Sequence, residues 1–232
     1  MVVCGTANIW MRAKSMHFEI LIEDQSGKNA LKKLLPKIIG KPHTWRIHHY
    51  KGIGRIPKNL RGTPDPNNQM LLNNLPKLLR GYGKTFATYT DDCPAEVIFV
   101  SDLDSKDLTD FLQELNEVLA SCSPQPTTRF CIAIEEGEAW LLGDIQAIKA
   151  AYPKVKDNNL SSYHNDSICG TWEKLADAIY TGGSQKLASY AWYVIGKVKS
   201  EWAEKICPHM DVDSNLSPSF QHFRDRLRQS AS

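Results

Sequence analysis

Paired metal-binding cysteines are missing from this chain. Its six cysteines (Cys4, Cys93, Cys122, Cys131, Cys169, Cys207) are scattered through 232 residues without a Cys-x-x-Cys spacing, which argues against a zinc knuckle. A disulfide framework belongs to short secreted chains, so the expectation is free thiols in a reducing cytoplasm. No apolar run approaches the roughly 18 residues of a membrane span. An excess of charge of one sign is lacking too: 28 Lys plus Arg stand against 26 Asp plus Glu, a formal charge of +2. That balance argues against a surface built to coat a polyanion, while leaving room for a local basic patch. Neither a dinucleotide glycine fingerprint after the first strand-like run nor a P-loop occurs, which removes the support for a nucleotide-binding doubly wound domain. Internal repeats and low-complexity segments are absent as well.

What is present is an ordinary globular composition, 42% apolar and 23% charged, long enough to bury a full core. The most informative stretch is Val97-Ile98-Phe99-Val100-Ser101-Asp102-Leu103-Asp104. A continuous apolar run without polar alternation reads as a strand covered on both faces, the pattern of an inner parallel strand. It ends in two carboxylates, at the strand edge where open α/β sheets bind ligands. In extended chain Asp102 and Asp104 point to the same side. Two carboxylates so close repel unless a cation sits between them or one is protonated, which suggests a magnesium-type site. The alternative is that Asp104 or Ser105 caps the following helix.

Two more strand-like runs end the same way. His17 to Ile22 runs into Glu23-Asp24, a Gln-Ser-Gly turn in which Ser26 is an N-cap candidate, and a helix carrying Ala30, Leu31, Leu34, Leu35 and Ile38. Arg129 to Ile134 runs into Glu135, Glu136 and, within the next helix, Glu138. Right-handed crossovers between parallel strands bring all three ends to one sheet edge. Each acid alone could serve a helix N-terminus; three together point to chemistry.

Thr44 to Tyr50 alternates as a further strand, with His48 and His49 on opposite sides, so at most one could face a shared site. The loop behind it places Lys51, Arg55, Lys58 and Arg61 among Gly52, Gly54 and Gly62, a combination suited to phosphate contacts or simply to a solvated surface. Pro64 to Asn67 is a turn into a helix bearing Met70 to Leu79, which should end near Gly81-Tyr82-Gly83. Asp91-Asp92 reads as surface. From Asp144 on no strand signal appears. Helices are expected over 145–152, 171–180, about 185–206 and from Ser217 to Leu227, with Trp192, Trp202, Phe220 and Phe223 as packing residues. His209, Asp211 and Asp213 fall in a helix-ending turn. The expected organisation is a loose tail (1–15), an α/β domain (16–143) with a mostly parallel sheet flanked by helices, and a helical C-terminal extension packed on the sheet (144–232).

The succession of a glutamate closing the first strand (Ile-Leu-Ile-Glu23) and an Asp-x-Asp closing a later one (Val-Ser-Asp102-Leu-Asp104) resembles the Toprim superfamily. More narrowly, the chain is similar to a Toprim-like family of uncharacterised domains encoded beside AAA or SMC-like ATPases in prokaryotic defence loci. That similarity rests on Lys51-Gly-Ile-Gly-Arg-Ile-Pro-Lys, Ile134-Glu-Glu-Gly-Glu-Ala-Trp-Leu-Leu-Gly-Asp, Gly170-Thr-Trp-Glu-Lys-Leu-Ala-Asp and Ser217-Pro-Ser-Phe. The resemblance implies a Toprim/Rossmann-like fold and a magnesium- or manganese-dependent nuclease. Asp102 and Asp104 would hold metal, Glu23 would be a ligand or general acid/base, and one of Glu135, Glu136 or Glu138 would complete the site. Lys51, Arg55 and Lys58 would then neutralise a DNA or RNA backbone. One departure stands out: Toprim proteins usually place glycine after the first glutamate, and here Asp24 follows, with Gly27 three residues on. The rival implication is a non-catalytic Toprim-like subunit that binds nucleic acid or an ATPase partner; a homo-oligomer is left open.

Overall fold

A computed structural model describes residues 15–61, 67–90, 93–155, 157–168 and 170–232. Most of the tail expected over 1–15, the turn residues Pro64 to Pro66, and Asp91-Asp92 lie outside the described residues. Strand β1 (His17–Ile22) leads into α1 (Gln25–Ile38), β2 (Thr44–His49), α2 (Leu71–Phe86), β3 (Ala95–Asp102), α3 (Leu108–Ala120) and β4 (Thr128–Ala133). Seven further helices follow: α4 (Glu138–Leu142), α5 (Ile145–Ala151), α6 (Asp157–Ser161), α7 (Thr171–Ile179), α8 (Gly183–Ala188), α9 (Trp192–Ile206) and α10 (Pro218–Ala231). The expected α/β class is observed: the four strands form one parallel sheet in the order β2-β1-β3-β4, flanked by helices.

The two inner strands are continuously apolar over 20–22 and 97–100, where both their faces are covered. Ile20, Ile22, Ile98, Val100 and Cys131 face α1 and the C-terminal helices, and share one core with Leu31, Leu35, Trp202, Ile206, Phe220 and Phe223. Leu21, Val97, Phe99 and Ile132 face the other way, onto Leu71, Leu75 and Leu79 of α2 and Phe111, Leu115 and Val118 of α3. The C-terminal helices therefore build the same core as the sheet. Edge strand β2 is half-covered and alternates accordingly. His48 donates or accepts at 2.6 Å from Oε2 of the buried Glu19, pinning that edge to β1, whereas His49 meets the Lys28 amine at 3.1 Å.

Chain order explains where the ligand edge lies. From β1 the chain crosses to β2 on one side, then returns past β1 to β3 on the other, so the gap between β1 and β3 is the topological switch point. At such a point the two connections leave in opposite directions and open a crevice at the strands' C-terminal ends.

Several local expectations are corrected. The α1 N-cap is Asp24, whose Oδ1 accepts from the Gly27 amide at 2.8 Å, rather than Ser26. Asp107 caps α3 through the Thr109 and Asp110 amides, so neither Asp104 nor Ser105 has that role. Helix α2 does not stop near Gly81-Tyr82-Gly83 but continues to Phe86. Gly83 serves close packing, since a Cβ there would lie 1.9 Å from the Pro124 carbonyl oxygen. The single helix expected over 185–206 is two, with Ser189 closing α8 through a 2.7 Å bond to the Lys186 carbonyl and Ala191 extended before α9. Trp192, expected to pack, is 84% exposed, while Trp202, Phe220 and Phe223 are buried as expected. Among the described residues no helix is long and apolar enough to cross a membrane.

Candidate functional site

At the β1/β3 switch point Glu23 and Asp102 come together. Glu23 follows the last residue of β1, Asp102 is the last of β3, and the Asp102 amide donates to Glu23 Oε2 at 3.3 Å. Both line a pocket of about 40 Å³ with Asp24, Ser101, Glu138 and Lys199 around its polar side and Ile22, Leu34, Val100, Trp140 and Leu141 around its apolar side. Such a volume holds about three waters, or a small ion with part of its hydration shell.

The local geometry follows from the sequence at each rim. Asp24 turns its carboxylate onto the Gly27 amide, which donates to Oδ1 at 2.8 Å and fixes the turn between β1 and α1. Gly27 packs closely beneath it, since a Cβ there would come within 2.4 Å of Ile22 Cδ1 and make that side chain shift.

Asp104 is not aligned with Asp102. Regular strand ends at Asp102; Leu103 still continues the face that Val97 and Phe99 present to the α2/α3 core, and the backbone departs at Asp104, which is left-handed at φ 51°. Its side chain is 47% exposed and pairs with Lys106 at 3.3 Å. The same-side expectation required extended backbone through both aspartates, and that condition fails at the second. Asp104 remains near enough to act on Glu23 electrostatically.

The three glutamates after β4 separate. Glu135, at φ 62°, turns its carboxylate to the start of α7, accepting from the Gly170 and Thr171 amides at 2.8 and 3.0 Å. Glu138 is buried in the pocket wall and Glu136 lies beside it. Both meet Lys199 of α9, whose Nζ stands 2.9 Å from Glu138 Oε2 and 3.7 Å from Glu136 Oε2. Sequence reading missed this lysine. Its only local signal is an amine on the otherwise apolar stripe of α9, four residues before Ala203 and seven before Ile206.

The electrostatics report a shortage of positive charge at the switch point. Burial raises Glu23 to about 7, helped by Asp104 and Asp24 and opposed by the Asp102 amide and Lys106. Burial also raises Asp102 well above the ordinary aspartate range, with Glu23 adding to the rise and Lys199 opposing it. Glu136 is raised to about 7 by burial, against the pull of Lys199. For Lys199 burial favours the neutral amine, but Glu138, Glu136 and Asp102 together outweigh it and hold the amine charged.

Among the described residues no group of three or more His, Cys, Asp or Glu side chains converges as a ready-made metal cage. Magnesium does not need one: it commonly keeps several waters and takes one or two carboxylates together with substrate phosphate. The donor chemistry of Glu23 and Asp102, two carboxylates competing for a proton in one pocket, fits that mode. Glu136 and Glu138 fit it less well, since Lys199 already compensates them.

The basic loop is tied to the same edge, the Gly52 amide donating to the Glu23 carbonyl at 2.9 Å. Lys51, Arg55 and Lys58 are exposed. Arg55 and Lys58 border an open groove of about 390 Å³ with Lys106 and, from α3, Glu114 and Glu117, while Lys51 stands apart from it.

A family model described as a domain of unknown function (DUF4276) matches residues 22–228. No curated protein and no solved structure matches the chain.

Proposed function

We infer that this chain, which belongs to the DUF4276 family, is a Toprim-like phosphoryl-transfer protein acting on nucleic-acid phosphodiesters, with magnesium or manganese held by Glu23 and Asp102. The observation that carries the reading is the pairing of these two carboxylates across the β1/β3 switch point, each raised toward protonation by burial and by the other acids around it. Such a pair asks for a cation. A divalent ion bound there would supply a Lewis acid for the phosphate and an activated water.

The chain's own residues would divide the remaining work. Glu23 would hold the ion beside Asp102, and the ion's charge would keep its carboxylate ionised against the burial that otherwise raises it. The loop carrying Lys51, Arg55 and Lys58 would hold backbone phosphates beside the edge to which Gly52 anchors it. Asp104, exposed and hinged outside the strand, would join a metal only by rotating away from Lys106.

One observation favours a second reading, a non-catalytic module that binds nucleic acid or an ATPase partner through the same edge. Lys199 already supplies the positive charge that Glu138 needs and part of what Glu136 needs, so this side of the acidic cluster is partly compensated without metal.

Calorimetric titration of the purified protein with magnesium and manganese, comparing wild type with Asp102→Asn, separates the two. Binding to wild type that vanishes in the variant supports the metal-dependent reading and should accompany cleavage of a labelled DNA or RNA substrate. Titration of the wild type that shows no binding, with nucleic acid both absent and present, would sink that reading and leave the binding module.

A further inference from the structure

A stretch of the C-terminal part that the acidic pocket does not account for is unusually rich in bare aromatic surface. Between Asp177 and Glu201 the chain has no acidic residue; it carries Lys186, Lys197 and Lys199 interleaved with Tyr180, Tyr190, Trp192 and Tyr193. Seven large hydrophobic side chains are exposed among the described residues, and three of them, Tyr190 (43%), Trp192 (84%) and Tyr193 (65%), fall in four consecutive positions. The Trp192 and Tyr193 rings meet edge to face at 6.2 Å. An edge-to-face pair braces each ring while leaving flat surface open for another π-system.

This patch is continuous with the acidic pocket along a single helix. Trp192 begins α9 and Lys199 lies seven residues later, about two turns or 10.5 Å along the axis and nearly in line on the same stripe. The stripe passes from solvent to core: Trp192 is bare, the Lys199 side chain is 16% exposed in the pocket wall, and Trp202 and Ile206 are buried. A ligand stacked on Trp192 would therefore lie about two helical turns from the pocket wall that Lys199 shares with Glu23 and Asp102. Lys186 and Lys197, both exposed, give the patch the sign of charge that suits a polyanion.

Resting on the phosphodiester reading of the acidic pocket, we propose that Tyr190, Trp192 and Tyr193 form a stacking platform for unpaired nucleobases, making single-stranded nucleic acid the substrate class. Stacking fits because every base presents a flat π-face to an exposed indole or phenol, and adjacent cations bind the backbone between stacked bases. A duplex offers no free base face to such a platform.

The test is fluorescence anisotropy of short labelled oligothymidylate, oligouridylate, an abasic analogue and a duplex, in chelator at low salt so that neither metal nor cleavage intervenes. Wild type is compared with Trp192→Ala, Trp192→Phe and Lys197→Ala. Trp192→Ala should weaken single-strand binding roughly 5- to 150-fold, the effect of losing one base stack. Trp192→Phe should retain most of the affinity, and the abasic analogue should not distinguish Trp192→Ala from wild type. Lys197→Ala should lower affinity for every single strand and flatten the salt dependence. The thymidylate and uridylate arms show whether deoxyribose or ribose strands are preferred. Because Trp192 contributes almost nothing to the core, Trp192→Ala should melt with wild type. Equal oligonucleotide binding by wild type and Trp192→Ala overturns the platform, even where magnesium still binds at Asp102. So does wild-type self-association that Trp192→Ala abolishes, which would assign the patch to a second copy. Loss of metal binding with Trp192-dependent strand binding intact overturns the phosphodiester reading instead and leaves the platform standing.

Discussion

Replacing Lys199 by methionine keeps an unbranched apolar stem one atom shorter and removes the charge. The ammonium is 2.9 Å from Glu138 and 3.7 Å from Glu136, with side-chain exposures of only 16%, 4% and 23% for the three residues. Breaking a buried pair from one side leaves an uncompensated charge in low dielectric and typically costs about 3–5 kcal/mol. For a chain of this size each kcal/mol moves the melting temperature by about 2–4 °C, so Lys199→Met should melt roughly 6–20 °C below wild type by calorimetry near neutral pH. Removing the main partner as well, in Lys199→Met/Glu138→Gln, should restore most of that loss, because a pair replaced on both sides leaves no orphaned charge. Lowering the pH should narrow the gap too: Glu136, already raised to about 7, takes up a proton and no longer needs the amine. A single-variant shift below about 2 °C would refute the charge-compensation account, as would a double variant no more stable than the single.

Metal-free wild type should lose stability as pH rises across the neutral range. Glu23 and Glu136 are each raised from an ordinary 4.5 to about 7, and Asp102 is raised in the same direction, so the folded protein holds these protons more tightly than the unfolded chain. Their stabilising contribution is fully present below about 4.5 and is lost as pH rises through about 7. Thermal melts in chelator should therefore show a falling melting temperature over that window, with a shallower slope in Glu23→Gln; a flat or rising profile would count against the assignment. In Gly83→Ala a better helix former enters α2, and propensity alone predicts a gain of up to about 1 kcal/mol. Because the new Cβ would lie 1.9 Å from the Pro124 carbonyl oxygen, the change should instead destabilise by about 1–3 kcal/mol in denaturant titration. A stabilised variant would show that the turn before β4 yields freely.

The parts of this molecule legible in the sequence are those set by local pattern. Val97 to Val100 reads as an inner strand because both faces of a parallel strand are covered, and that coverage leaves no polar alternation; His17 to Ile22 reads as a further strand. Glu23 and Asp102 were found because acids ending such runs must emerge at the sheet's ligand edge. Helices α1, α3, α7 and α10 were visible from their apolar spacing.

Tertiary structure decided the rest through contacts distant in sequence. Lys199 reaches Glu138 from 61 positions away, and its place on an otherwise apolar stripe says only that it is covered, not which acids its amine meets. Glu135 looked equivalent to its neighbours until the start of α7 claimed its carboxylate. Asp104 leaves the strand at its own left-handed φ of 51°, where its amide donates to the Glu135 carbonyl at 3.0 Å, a contact with the loop after β4 that no local pattern announces. Gly83, which reads as a stop signal in isolation, proved to be a close contact with a turn 41 residues downstream. Trp192 is an apolar residue that a sequence pattern assigns to the core, and only the placement of α9 against the sheet shows that its end of the helix has nothing to cover it. Periodicity records which side of an element is apolar; what that side meets, and which charges meet one another, depends on how the elements pack.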